Sequence, residues 1–149
     1  MISEDLRRAL TADVVSESAI NEAAGLIALK LGRMAEGSYT DPATWHAIAE
    51  CQGIRCRVFH QPYPNAIRGV SGQIAPPHGF IYIMVNGVHP PEEQAITWVH
   101  ELAHVEVMTW MGPQLQDGAD MRCYYDDDRG DVSHCIARVV ERLVFELPP

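Results

Sequence analysis

At 149 residues, with 47% hydrophobic and 21% charged side chains, the chain can bury one sizeable core and has the make-up of an ordinary globular domain, not of a disordered or fibrous one. Its formal net charge is −9 and no Lys/Arg-rich run interrupts it, which argues against direct binding to nucleic acid or an anionic membrane, because a phosphate surface demands a basic face. The polar start, Met1-Ile2-Ser3-Glu4-Asp5-Leu6-Arg7-Arg8, lacks the apolar centre of a signal peptide, and no stretch reaches the roughly 20 apolar residues that span a bilayer; a cytoplasmic protein is expected.

The first 50 residues read as helical. Ile20, Ala23, Ala24, Ile27, Leu31 and Met34 recur at helical spacing, predicting a helix from about Ser18 to Met34 with one apolar stripe, stopped by Gly37-Ser38. Asp41-Pro42 supplies an N-cap and a first-turn proline for a short helix through Trp45, Ile48 and Ala49 to near Gly53. The period then changes. Ile54 to Phe59 alternates apolar and polar, as a half-buried strand does, and Val70 to Ile74 reads as another strand. Phe80 to Val85, closed by Asn86-Gly87, is a third strand. Pro76-Pro77-His78-Gly79 reads as a turn. Three short strands predict a small, largely antiparallel sheet.

Pro90-Pro91-Glu92-Glu93 suits the start of a helix, proline fitting the first turn and the acids the positive end of the dipole. That helix should run to about Met108 and, being apolar nearly all round, should be buried. Thr109 to Asp128 reads mostly as loop. A last helix from about Arg129 carries Val132, Ile136, Val139, Val140, Leu143 and Leu147, ending at Pro148-Pro149. The whole, residues 1–149, reads as one domain, with a helical N-terminal part (1–44) and a core (45–149). The four cysteines, Cys51, Cys56, Cys123 and Cys135, form no C-x-x-C pair and read as reduced, mostly structural thiols; only Cys135 has a claim to lie near a site.

The central helix holds His100-Glu101-Leu102-Ala103-His104. Residues i and i+4 share a helix face, so both imidazoles can reach one metal ion, and the Glu between them can act as general base on a water held there. Burying three ionisable groups without a metal or partners would be costly. His46, His60, His78 and His89 read as surface or loop residues instead. Catalytic zinc sites usually take three protein ligands, and no H-E-x-x-H-x-x-G-x-x-H extension follows His104, which excludes the metzincin pattern. A carboxylate on a following helix is the natural third ligand. Asp131 is the first choice, with Asp126, Asp128 and His134 as alternatives; Glu141 reads as too far along and exposed. The strand Phe80 to Val85 could be the sheet edge along which a substrate lies, and Tyr82, Tyr124 or Tyr125 could donate to a transition state.

From Trp45 to Leu147 the chain resembles the ImmA/IrrE family of small zinc peptidases. The resemblance rests on Cys51-Gln52-Gly53-Ile54-Arg55-Cys56-Arg57-Val58, on Gly69-Val70-Ser71-Gly72, on Gly79-Phe80-Ile81-Tyr82-Ile83-Met84-Val85-Asn86, and on Glu92 to Val99 running into the histidine motif. It implies an α+β, zincin-like domain: N-terminal helices, a short sheet, a buried H-E-x-x-H helix and a C-terminal helix. It also implies Zn2+ on His100, His104 and a third ligand, with Glu101 as base. Family members supply that ligand from an E-x-E-A-N-like helix start; here Asp131-Val132-Ser133-His134-Cys135 stands in its place, so Asp131 would substitute. The implied activity is endoproteolysis of a regulatory protein such as a helix-turn-helix repressor. The alternative is a metal-bearing module that binds such a regulator without cutting it.

Overall fold

Ser3, Ser16 and Asp41 each start a helix by accepting a backbone N–H that no helical carbonyl can reach. Their side chains take the N–H of Leu6, Ala19 and Ala43 at 3.1, 3.1 and 3.0 Å, opening α1 (Glu4–Leu10), α2 (Glu17–Ala35) and α3 (Pro42–Cys51). The computed structural model describes residues 2–74, 79–111, 121–125 and 132–146; the expected turn at residues 76–78 lies outside them. On α2 the predicted stripe is buried at Ala23, Ala24, Ile27 and Leu31, while Met34 stays 37% exposed. Trp45 of α3 is fully buried, and its indole N–H donates to the Tyr39 carbonyl at 2.7 Å, so its polar edge enters the core satisfied.

The chain then forms β1 (Arg55–Phe59), β2 (Gly69–Ile74) and β3 (Phe80–Asn86), and after a long helix α4 (Pro91–Met111) come β4 (Met121–Tyr125) and α5 (Val132–Phe145). This α+β architecture agrees with the expected class, but the sheet does not match the expected three strands. Among the described residues it has four, in the order β1-β3-β2-β4, and β1 runs parallel to β3 while the other two pairings are antiparallel. β4 lies in a stretch read as loop; five residues holding Arg122 and no clean alternation carry little strand signal. α4 also outruns its expected end at Met108, because Trp110 and Met111 are buried and the first helix-breaking pair is Gly112-Pro113.

α4 is the centre of the domain. Trp98, Val99, Leu102 and Ala103 are at most 1% exposed, and α3, β2, β3 and α5 all pack on it. Close approach of β2 depends on Gly69. A Cβ there would lie 2.6 Å from Thr97 Cγ2 and 2.9 Å from the Met84 carbonyl oxygen, distances that no side chain tolerates. The glycine lets β2 lie against α4, and two residues later Ser71 meets Glu101. Asn86 ties the segment before β2 in place: its Nδ2 donates to the carbonyls of Gln61 and Ile67, and its Oδ1 accepts from the N–H of Gln61 and Val88.

Candidate metal centre

His100, Glu101 and His104 sit on the inward side of α4 and are at most 1% exposed. One helical turn separates the two histidines, so their rings stand 4.8 Å apart between centroids, and their Nε2 atoms face each other at 3.1 Å. Two nitrogens bound tetrahedrally at ~2.0–2.1 Å from one ion would lie about 3.3–3.4 Å apart. The spacing is therefore that of two ligands aimed at a shared point. Without a cation, one ring must fill the gap with its own N–H; with one, both can offer lone pairs. The residues fit a metal.

The third nitrogen comes from α5. His134 is 4% exposed, with its ring centroid 5.0 Å from that of His100 and 6.0 Å from that of His104. The ligand atoms of His100, His104 and His134 all lie within 4.8 Å of one another, so this buried trio could hold a metal ion. Asp131, the first choice from sequence, and the alternatives Asp126 and Asp128 lie outside the described residues, as do the side chains of Tyr124 and Tyr125.

Around the trio, each group is held from a different direction. His104 Nδ1 lies 2.7 Å from Ser133 Oγ, and His100 Nδ1 lies 3.3 Å from Glu141 Oε2. Both histidines thus turn Nδ1 outward and Nε2 inward, the orientation that outer partners impose on metal-binding imidazoles. The Ser71 hydroxyl donates to Glu101 Oε1 at 2.7 Å, with both residues fully buried. Further out, Lys30 of α2 donates to Glu106 of α4.

Sequence reasoning missed Ser71, Ser133 and Glu141. Expected on the exposed side, Glu141 instead faces His100, its side chain 17% exposed. Its position was readable in principle: it follows His134 by seven residues, two helical turns, and so shares its face. The expected substrate strand needs the same correction. β3 is interior, flanked by β1 and β2, and among the described residues the sheet edges are β1 and β4. His89, read as a surface or loop residue, lies in the loop between β3 and α4, where it is 7% exposed and edge-on to Tyr63.

Burial, reinforced by His100 and His134, pushes the pKa of His104 down from 6.5 to about 2, leaving its imidazole neutral and able to bind a cation at neutral pH. The metal-free protein should consequently weaken in acid. An unfolded chain takes up a proton at His104 as pH falls through 6.5 while the folded chain does not, so stability is full above 6.5 and lost below it. This one group accounts for about 2 kcal/mol between pH 7.5 and 5. Urea unfolding of chelator-treated protein at the two pH values measures it, with His104→Gln as the uncharged control. Equal losses in both proteins would refute the assignment.

No family model, curated protein or solved structure matches this chain, and no helix among the described residues is long and apolar enough to cross a membrane.

Proposed function

We propose that the chain is a zinc-dependent endopeptidase in which His100, His104 and His134 hold the ion and Glu101 is the general base. The observation that supports it most is the convergence of three buried imidazoles, two of them on the helix that also carries the buried Glu101, since polar groups of this kind are costly to bury unless something pairs them. Three imidazoles suit zinc and leave a fourth position for water or substrate. When bound, zinc supplies a water that deprotonates near neutral pH and a positive charge beside a carbonyl oxygen.

The protein's own groups divide the remaining work. Glu101 accepts the proton released on attack and returns it to the leaving amine, while Ser71, through Oε1, fixes the orientation of that carboxylate. The outer contacts of Ser133 and Glu141 hold the two rings of α4 so that no reorganisation is needed when substrate arrives. Among the described residues β4 is an edge strand paired to β2, the strand that carries Ser71, so an extended substrate would add there by backbone hydrogen bonds. By the family resemblance, a helix-turn-helix repressor is the substrate class.

A three-histidine set departs from the two-histidine, one-carboxylate set of the resembled family, which gives a second reading: a metal-bearing module that binds its regulator intact. Elemental analysis and a mixing experiment separate the two. Near-stoichiometric zinc, with a discrete new fragment from a helix-turn-helix protein encoded beside this gene, is the expected result. Zinc with a stable complex and no fragment would favour the module, and metal-free protein from zinc-supplemented growth would sink both.

A further inference from the structure

Three neutral imidazoles bring no negative charge to a divalent ion, whereas a two-histidine, one-carboxylate site brings one as a ligand. Among side chains this deeply buried that difference matters, because charge is poorly screened there. The nearest compensating group on α5 is Glu141. We propose that Glu141 is a positioning and charge-balancing residue of this metal site, held in place by Arg68; the proposal rests on the zinc assignment above.

Glu141 has one carboxylate oxygen on each side of this role. Oε2 lies 3.3 Å from His100 Nδ1, and Oε1 lies 3.5 Å from Arg68 Nη2. A carboxylate at this ion-pair distance from the outer nitrogen of a ligating imidazole favours the proton on that nitrogen through its charge, the contact not being aligned as a hydrogen bond. It thereby leaves Nε2 as the lone pair for the metal, and makes it more basic. At 17% exposure the carboxylate is mostly withdrawn from water, so its charge is felt at the ion.

The sequence arrangement makes this possible with a single helix. Ser133, His134 and Glu141 all reach toward α4 from α5, and the face between them holds Ala137, fully buried and small, which lets the two helices close. Arg68 is similarly anchored: its carbonyl accepts the N–H of Asn86 at 2.9 Å, and it immediately precedes Gly69, which allows β2 to lie against α4. One short segment thus places Arg68 on Glu141 and Ser71 on Glu101. The site's two carboxylates, the outer one on His100 and the base, are both set by residues 68–71.

A mere surface ion pair between Arg68 and Glu141 would contribute little and would leave metal binding untouched. The test compares wild type, Glu141→Gln and an exposed control, Glu22→Gln, by chelator competition for Zn2+ and by the visible spectrum of the Co2+-loaded protein. Glu141→Gln keeps the volume and removes the charge. It should weaken Zn2+ binding by about 10–100-fold and shift the Co2+ bands, while Glu22→Gln matches wild type in both. Arg68→Met should weaken binding in the same direction by a smaller factor. Wild-type protein that binds zinc, with Glu141→Gln within twofold of it and spectrally unchanged, would overturn this proposal alone. Wild-type protein that binds no zinc would overturn the zinc assignment, and this proposal with it.

Discussion

A Glu101→Gln variant is expected to keep its zinc and to lose cleavage by a factor of ~10²–10⁴. The two halves of this result have separate causes. Glutamine offers the same acceptor oxygen to the Ser71 hydroxyl, which sits 2.7 Å from Glu101 Oε1, so the side chain should stay where it is. The three converging nitrogens belong to His100, His104 and His134, and none is altered. What disappears is the ability to take a proton, because an amide is not a base near neutral pH. Metal content by elemental analysis and fragment yield from the partner protein, measured on one preparation, check both halves. Undiminished cleavage would remove Glu101 from its role, and loss of zinc would mean that Glu101 is itself a ligand.

The second large effect concerns His134. Replacing it with alanine should take zinc from about one ion per chain to trace levels, a fall in affinity of at least ~10³, or about 4 kcal/mol. The expected loss exceeds the roughly 10–100-fold cost of removing an outer partner, because a ligand is removed outright. His134 is 4% exposed, so the truncation also leaves a cavity. His134→Gln, which fills most of that space, separates packing from ligation. Both variants should bind zinc poorly, and metal-free circular dichroism should show the Gln variant folded. If zinc remains on either, the third ligand lies elsewhere, and Asp131→Asn becomes the variant that should lose it.

Much of this was legible in the sequence, for physical reasons that differ by element. α2 announces itself through helical periodicity, α4 through its Pro-Pro-Glu-Glu start and a run apolar nearly all round, and the pair His100 and His104 through their spacing of one turn. The order of the sheet was not legible, because strand pairing is decided by long-range packing that local pattern does not encode. β3 reads the same whether it lies inside the sheet or at its edge, and only the parallel partner β1 puts it inside. The third nitrogen was hidden for a related reason. A carboxylate and an imidazole near the start of α5 are equally plausible ligands in one dimension. His134 comes close to His100 and His104 only when α5 is laid against α4.

The packing of α2 on α5 also bears on how the protein is made. α2 finishes at Ala35 and α5 begins at Val132, so the apolar stripe of α2 leaves the ribosome long before its partner exists. Closing so long a loop costs entropy that only late contacts repay. The chain therefore carries an uncovered helix face until α5 has been made, a stage at which a chaperone has its best claim on it. The nitrogen of His134 arrives with the same helix. If the three histidines hold an ion, a nascent chain stalled before α5 would offer it two of them and no finished site.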